Sequence, residues 1–276
     1  MADDAPKVER PVAIHKPKPW HGVREFLKEY LIIVVGVLTA LGAEQGVELL
    51  HWRHEAEVAR DVFRRDDLRL LAGIGRTDTL GACVDRRLKD LQGVLDKAEA
   101  SGMLPAVGDI GSGAEYGWFM RGWESAVSSG VLPHLAPGEG ARYAAMHVTV
   151  LSLGAARDDA TTQWATLRSM TGPGRRLSEA EAADLRRALN GSRMEATKGR
   201  MLADMLGLMV LDTQLISRPQ MLAAWRLGRD RAPSDVCRPI APWTGASGPT
   251  SLAEPATAPE GSYDDKFSAF HDTLAK

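Results

Sequence analysis

The feature that most constrains this chain is an apolar run near its N-terminus. The residues YLIIVVGVLTALGA, from Tyr30 to Ala43, carry no charge, and the apolar character continues to Leu50. A helix from Tyr30 to Leu50 is about 30 Å long, because each residue adds about 1.5 Å, and this length matches the hydrocarbon thickness of a bilayer. The run therefore predicts a transmembrane anchor.

A cleaved signal peptide and a buried core helix are the two alternatives to an anchor. A signal peptide ends in a small-residue cleavage site and a polar mature start, whereas here the helical pattern continues to His54. A core helix needs apolar partners on all sides, and the flanking segments do not supply them. Trp20, Tyr30 and Trp52 flank the run, as in the aromatic belts of bilayer interfaces. We therefore expect the anchor to occupy residues 20–52.

Basic residues are concentrated on one side of the anchor. Lys16, Lys18, Arg24 and Lys28 precede it, and Arg53 is the only such charge soon after it. The more positive flank of a membrane helix stays in the cytoplasm. The sequence therefore predicts a single-pass protein of the bacterial inner membrane, with a cytoplasmic N-terminus and a periplasmic C-terminal domain.

Small residues recur within the apolar run. Gly36 with Ala40, and Gly42 with Gly46, are each four residues apart, a spacing that lets two membrane helices approach closely. Such spacings also arise by chance in apolar segments. We interpret these residues as candidate helix–helix contacts for self-association.

Outside the anchor, composition divides the chain into four parts. Residues 1–19 are polar and rich in Pro and Lys, which predicts a disordered cytoplasmic tail. Residues 53–230 are patterned for helices, so we expect a mainly α fold with one N-terminal transmembrane helix followed by an extramembrane helical bundle. Residues 231–261 have the Pro, Ala, Gly and Ser content of a flexible linker. Residues 262–276 form the last part.

This last part, residues 262–276, carries apolar side chains at steps of four, three and four: Tyr263, Phe267, Phe270 and Leu274. The pattern predicts a short amphipathic helix. Such a helix can dock into an apolar groove, either on the same chain or on a partner protein.

The segment after the anchor, HWRHEAEVARDVFRRDDLRLL, has apolar residues at helical spacing. It predicts a helix that continues as a stalk, with its charges on a solvated face. Gly73 and Gly75 are expected to loosen this helix. A second amphipathic helix is predicted by apolar residues at steps of three or four: Leu80, Val84, Leu88, Leu91 and Leu95.

Two further helices are predicted in the middle of the domain. Between residues 116 and 129 we expect a short helix with one face sealed by core side chains: Trp118, Phe119, Trp123 and Val127. A long helix from Glu139 to Met170 is expected to bury a stripe of six: Tyr143, Met146, Val150, Leu153, Trp164 and Leu167.

A capping box starts the next helix. Ser178 is followed three residues later by Glu181, the spacing at which the two side chains satisfy the first N–H groups of a helix. We expect this helix to run to about Ile216. Three methionines along it are interpreted as flexible core packing rather than as a copper site: Met201, Met205 and Met209.

The only two cysteines, Cys83 and Cys237, match no metal-binding spacing. Both follow the anchor, so in an oxidising compartment they can pair and tie the end of the chain to an early helix. The alternative is two buried free thiols.

No residue set in the sequence specifies a reaction. The seven histidines are scattered, and neither G-x-S-x-G nor H-E-x-x-H occurs. An enzyme would need Ser, His and Asp brought together by tertiary structure. No cofactor or metal site is predicted. The net charge of −2, with interspersed signs, also argues against nucleic acid as a partner.

The segment WHGVREFLKEYLIIVVGVLTALGAEQGVELLHWRHEAEVAR resembles the start of a group of uncharacterised bacterial inner-membrane proteins, which share an E-F-L/Y-L-I-I-V-x-G-V-L-x-A-L anchor. The later WESAVSSGVLPHL is similar to a W-x-x-A-x-x-S-G segment of the same group. The resemblance implies a membrane location and supplies no mechanism.

Two functions are compatible with these features. The first is a non-enzymatic, membrane-anchored interaction protein, acting as an accessory subunit or scaffold of an inner-membrane assembly. Its partners are the lipid bilayer and either another protein or a second copy of the chain. The alternative is a periplasmic sensor or small-ligand-binding domain that uses the region of Trp118 and Trp123.

Overall fold

The computed structural model describes residues 22–113, 117–230 and 235–245, and the fold is mainly α, as predicted. The described helices are α1 (Gly22–Ser101), α2 (Arg121–Ser129), α3 (Glu139–Leu167), α4 (Glu179–Thr213) and α5 (Arg218–Asp230). Short 3-10 turns occupy Leu132–His134, Arg168–Met170 and Asp235–Cys237. Two strands that the sequence did not predict, β1 (Met103–Leu104) and β2 (Arg175–Arg176), pair antiparallel.

Several predictions fall on residues that lie outside this description. They are the tail at residues 1–19, the later part of the linker at residues 246–261, and the C-terminal helix at residues 262–276 with Tyr263, Phe267, Phe270 and Leu274. They stay predictions.

The chain divides into two compact units between Trp52 and Arg53. In the first unit, the α1 residues are almost all exposed, and the rings of Phe26 and Tyr30 stack with centroids 6.2 Å apart. Among the described residues, α1 is the one helix long and apolar enough to cross a membrane, and its apolar window is fully exposed. The first unit is therefore compatible with an anchor.

The second unit has an apolar core formed by α1, α3 and α4. The predicted α1 stripe from Leu80 to Leu95 is buried in it, as are the α3 side chains Trp164 and Leu167. The remaining four residues of the predicted α3 stripe are buried as well. Helices α3 and α4 run antiparallel, because Arg142 near the start of α3 pairs with Asp212 near the end of α4 at 2.6 Å. The expected buried faces of α1, from Leu80 to Leu95, and of α3 are confirmed.

The predicted break at Gly73 and Gly75 does not exist, since α1 is continuous. Gly75 lies where α5 crosses α1. A Cβ on Gly75 would lie 2.1 Å from the Trp225 carbonyl oxygen, and one on Gly228 would lie 1.7 Å from the Ala72 carbonyl oxygen. The glycines therefore permit close contact between two backbones, which offsets the cost of about 1 kcal/mol that glycine imposes on a helix.

The predicted stalk is a helix with most of its charges exposed, but from Ala56 onward it also packs against the domain. Phe63, Asp66 and Asp67 are all fully buried there. The ring of Phe63 stacks on that of Tyr143 from α3, with centroids 3.8 Å apart. Tertiary contact with α3 overrides the pattern of charges, so this part of α1 belongs to the domain.

Two smaller predictions are also wrong. On the short helix, Phe119 and Val127 are exposed and the buried residues of α2 are Gly122 and Ala126, so small residues rather than aromatic ones face the core. On α4 the methionines do not fill the core, because Met201 is 64% exposed and Met205 is 40% exposed.

The beginning of α4 follows the prediction in part. The Ser178 hydroxyl accepts a hydrogen bond from the Glu181 backbone N–H at 3.2 Å, as a cap does. The Glu181 carboxylate does not return to the Ser178 backbone and instead pairs with the guanidinium of Arg175. That pairing lowers the pKa of Glu181.

Part of the predicted linker packs onto the domain. In residues 235–245, Val236 is buried, and the Gly108 backbone N–H donates to the Ala241 carbonyl at 2.8 Å. The buried Arg87 guanidinium donates to the carbonyl oxygens of this segment, including that of Val236 at 3.3 Å. Its contacts with Arg238 and Asp235 are of the same kind. The segment is thus a fixed part of the core rather than a flexible linker.

Candidate functional site

The second unit contains a concave site, a cavity of about 110 Å³. Three helices line it at steps of three or four residues. The α1 residues are Arg76, Thr77, Leu80, Gly81 and Val84. The α3 residues are Leu153, Ala156, Arg157, Ala160 and Trp164. The α4 residues are Ser192, Glu195, Ala196, Gly199 and Arg200. We name this site the Ser192 cavity.

The loop between β1 and α2 completes the wall with Gly113 and Trp118. The backbone of Gly113 lies against the edge of the Trp164 indole, and a Cβ there would lie 2.2 Å from the indole Nε1. Any larger residue at this position would push the loop away from the wall. Glycine at position 113 therefore lets the backbone approach the Trp164 indole at the cavity wall.

On α4, the cavity wall has open space beside the backbone of Gly199. A Cβ built on Gly199, which lines the cavity, would meet no atom within 4 Å. Glycine is unfavourable inside a helix by about 1 kcal/mol relative to alanine. A helix interior that keeps glycine beside a cavity preserves open space at a cost in stability.

One of the lining residues, Ser192, carries a buried hydroxyl. The residue is 1% exposed, and its Oγ has no hydrogen-bond partner among the described residues. Buried hydroxyls in native proteins are nearly always paired, because an unpaired one costs about 1–3 kcal/mol. The hydroxyl is therefore positioned to bind a group within the cavity.

Charged side chains also line the cavity. The Glu195 carboxylate, which is nearly buried, contacts the Lys198 ammonium at 3.3 Å. The Arg200 guanidinium pairs with Asp85 at 3.0 Å. For Arg157, the carboxylate found within 4 Å is that of the adjacent Asp158, at 3.9 Å, which is beyond hydrogen-bond distance. The Arg157 charge is thus the least compensated of these three.

A second polar site lies in the interior of the same unit, and we name it the acidic cluster: Asp66, Asp67, Tyr143 and Thr213. Asp66 accepts a hydrogen bond from the Gly122 backbone N–H at 2.6 Å and contacts Arg69 at 3.2 Å. Asp67 accepts one from the Thr213 hydroxyl at 2.9 Å through Oδ2, whereas its Oδ1 has no partner among the described residues.

Burial governs the protonation of the acidic cluster. The pKa of Asp67 is raised to about 7, chiefly by loss of hydration, against the Thr213 hydrogen bond and with a smaller contribution from the nearby Asp66 carboxylate. Burial also raises the pKa of Asp66 and of the Tyr143 phenol. The Tyr143 hydroxyl lies near Thr213 but makes no hydrogen bond of normal geometry. The cluster is a closed site with carboxylates that take up protons readily.

Neither site has the ligands of a metal centre. Among the described residues, no group of three or more His, Cys, Asp or Glu side chains could hold a metal ion. His147 stacks on Trp123 with ring centroids 5.5 Å apart. The prediction that the protein is not an enzyme stays a prediction.

The structure brings together Cys83 and Cys237, which form a disulfide between α1 and the packed segment that follows α5. The two tryptophans of the sensor hypothesis lie in different places. Trp118 lines the cavity, whereas Trp123 lies outside its wall and stacks on His147. The candidate anchor contacts, Gly36, Ala40, Gly42 and Gly46, are exposed on α1 in the first unit.

Sequence analysis missed Ser192, Arg157 and Gly199. A signal for the first was present, since Ser192 follows Leu185 and Leu189 on the buried stripe of α4, at a position where an apolar residue is expected. Arg157 and Gly199 gave no such signal, because an arginine or a glycine in a helix is common and only the packing of α3 against α4 shows what each one faces.

No protein-family model, curated protein or solved structure matches this chain. The resemblance of its anchor to a group of inner-membrane proteins therefore stays a prediction.

Proposed function

We propose that this protein is a membrane-anchored receptor for a small ligand, which binds in the Ser192 cavity of a helical bundle. The observation that carries the proposal is the buried, unpartnered Ser192 hydroxyl in a cavity walled by both indole and guanidinium groups. Small-ligand sites typically combine apolar walls with a few convergent polar groups. The protein binds its ligand and does not transform it.

The membrane placement in this proposal is a single pass through a bacterial inner membrane, with the domain in the periplasm. It is supported by the exposed apolar part of α1 and by the basic residues before it. The disulfide between Cys83 and Cys237 favours an oxidising compartment for the domain.

A pair of reporters tests this placement. Alkaline phosphatase fused after Lys276 should be active in bacteria, because it folds only in the periplasm, and green fluorescent protein fused there and exported by the same route should stay dark. The opposite result, or a protein that washes off membranes in carbonate, would remove the placement.

The ligand-binding function is tested on the full chain in detergent micelles. A library of small neutral, anionic and cationic molecules is screened for a rise in the unfolding midpoint. A ligand at about one hundred times its Kd adds about 2.7 kcal/mol, which should raise the midpoint by about 5–10 °C.

Gly199→Leu serves as the blocked variant, because its side chain would extend into open space at the cavity wall. Gly93→Leu is the matched control, since a Cβ there also meets nothing within 4 Å and Gly93 does not line the cavity. Both variants should keep or raise the basal midpoint. Ligands should stabilise the wild type and Gly93→Leu but not Gly199→Leu. Equal stabilisation of all three, or of none, would contradict the proposal.

A second candidate function is self-association, which is the interaction hypothesis in its simplest form. It is favoured by exposed apolar side chains on α3 and α4: Val148, Leu151, Met194, Met201, Met205 and Leu208. Exposed apolar patches mark interaction sites. A second copy is the natural occupant, because an anchor confines copies to one membrane and so raises their effective concentration.

Mass photometry of the protein in nanodiscs tests this second function. Met201→Glu should convert a wild-type dimer to a monomer, whereas Leu227→Glu, at an exposed apolar residue of α5, should not. A wild type that is monomeric at all concentrations would exclude self-association.

A further inference from the structure

The charges of the Ser192 cavity favour one class of ligand. Its described lining contains three guanidinium groups, from Arg76, Arg157 and Arg200, and one carboxylate, from Glu195. The Glu195 carboxylate is compensated by Lys198, which lies beside it on α4. Arg200 is compensated in the same way by Asp85, so the excess positive charge of the described lining rests mainly on Arg157, and it favours a bound anion over a bound cation.

Arg157 is the group best placed to make this charge available. Its carboxylate neighbour, Asp158, is 78% exposed and 3.9 Å away, so water screens most of their attraction. Arg200, by contrast, is already paired with Asp85 at 3.0 Å. A guanidinium group binds a carboxylate through two parallel hydrogen bonds, and such charge-assisted bonds are about twice as strong as neutral ones.

The apolar part of the wall sets a second requirement. Leu80, Val84 and Leu153 line the cavity together with the Trp164 indole, and all four are buried in the core. A fully hydrated inorganic ion would leave these groups in contact with water. A ligand with an apolar body would cover them.

The volume limits the size of the ligand. The cavity holds about 110 Å³, somewhat less than the cavity of about 150 Å³ that admits benzene in an engineered protein. The enclosed part of a ligand is therefore about four to six non-hydrogen atoms.

We infer that the ligand is a compact organic anion, a carboxylate on a short apolar chain, held by Arg157 and by the Ser192 hydroxyl. The inference rests on the proposed ligand-binding function and adds the chemical class of the ligand. The carboxylate accepts hydrogen bonds from both groups, which provides a partner for the Ser192 hydroxyl, while the chain lies against the apolar wall.

The test uses molecules of one size and different charge. Sodium butyrate, butyramide and butylammonium chloride are titrated into the full-length protein in detergent by isothermal calorimetry, with sodium chloride added to equal ionic strength. Sodium phosphate is the fourth probe, an anion without an apolar body. Butyrate should bind at least tenfold more tightly than any of the other three.

Arg157→Gln removes the charge and leaves a shorter polar side chain, and it should weaken butyrate binding at least tenfold. Arg187→Gln removes a charge from an exposed arginine of α4 that does not line the cavity, and it should leave binding unchanged. The unfolding midpoints of both variants are measured without ligand, so that a folding defect is recognised.

The outcomes separate the two claims. Butyramide or butylammonium binding as tightly as butyrate would overturn the anion inference and leave the proposed receptor function intact. Phosphate binding more tightly than butyrate would overturn the carboxylate class. Butyrate binding that survives Arg157→Gln would overturn the assignment of Arg157. The receptor function itself would be excluded by one result of the library screen. In that result, no ligand stabilises the wild type without stabilising Gly199→Leu equally.

Discussion

The Ser192 cavity and the acidic cluster are both polar sites within one helical domain, and they differ in charge and in space. The cavity has an excess of guanidinium groups and open volume. The acidic cluster holds two fully buried carboxylates, with the Phe63 and Tyr143 rings packed alongside. Each contains a buried oxygen without a partner, on Ser192 and on Asp67.

This difference shows how a buried polar atom without a hydrogen-bond partner should be interpreted. Where there is space beside it, a ligand can supply the missing hydrogen bond, as we propose for Ser192. Where the packing is closed, the group can reduce its cost only by changing its charge, and the raised pKa of Asp67 is that response. Arg87 provides the contrast to both, because its buried guanidinium donates to several backbone carbonyls.

The largest effect is expected from the disulfide, which lies on the cavity side of the domain. Its cysteines are separated by 154 residues, and breaking a loop of this length can lower the free energy of unfolding by up to about 5 kcal/mol in the chain-entropy model. Chemical unfolding of the full chain, with and without reductant, measures the loss. Amide exchange should increase more around Leu80 and Val84 than around Tyr143.

The double variant Cys83→Ser with Cys237→Ser is the control, because reductant should no longer affect it. A loss below about 1 kcal/mol on reduction would mean that the segment after α5 is held by packing and by Arg87 alone.

Arg87→Met should destabilise the domain by about 3–5 kcal/mol. Methionine keeps much of the volume, but the carbonyl oxygens of residues 235–238 lose their buried donor, and each unsatisfied group costs about 1–3 kcal/mol. The exposed neighbour gives a matched control, and Arg86→Met should change stability by less than about 0.5 kcal/mol. Urea unfolding of the three proteins checks the order. Equal effects of the two variants would show that Arg87 does not hold this segment.

Asp67→Asn sharpens the contrast between closed and open sites. The folded-state pKa of Asp67 is about 7, above the ordinary value of 3.8, so the folded protein binds this proton more tightly than the unfolded chain. Its contribution to stability is therefore greatest below about pH 4 and is lost as the pH rises to about 7. Asparagine cannot ionise, so the variant should match the wild type near pH 4 and exceed it by about 2–4 kcal/mol at pH 8.

Unfolding free energies at several pH values between 4 and 8 measure this difference. Asp61→Asn, at an exposed carboxylate six residues earlier on α1, is the control and should change stability by less than about 0.5 kcal/mol. A difference between Asp67→Asn and the wild type that stays constant with pH would show that the buried carboxylate does not change its protonation.

The sequence predicts some regions of the molecule better than others, and one physical rule, hydrophobic periodicity, accounts for the difference. Stripes of large apolar residues predicted the buried faces of α3 and of the later part of α1, because hydrophobic periodicity records burial directly. The same rule failed for Asp66 and Asp67, where a local run of charges suggested solvent and packing against α3 decided otherwise. It failed again at Gly75, because a glycine that permits close contact and one that breaks a helix look alike in a sequence.

The candidate site was less predictable than the fold. The disulfide could be anticipated, since only two cysteines occur. The cavity could not, because it is a gap between three helices, and no local pattern records where side chains fail to fill space. Ser192 alone left a trace, as a polar residue on an otherwise apolar stripe.

The smallest effect on stability, and the most informative one, is expected from Ser192→Ala. Without ligand the variant should be as stable as the wild type or up to about 1 kcal/mol more stable, because it removes a buried hydroxyl that has no partner. With ligand the order should reverse, since the wild type gains a hydrogen bond that the variant cannot make. Unfolding midpoints with and without butyrate measure both halves. Ser169→Ala, in the 3-10 turn after α3 and away from the cavity, is the control and should show neither change. If Ser192→Ala instead destabilised the ligand-free protein by more than about 1 kcal/mol, its hydroxyl would have an internal role, and the cavity would belong with Arg87 among the structural polar sites rather than opposite the acidic cluster.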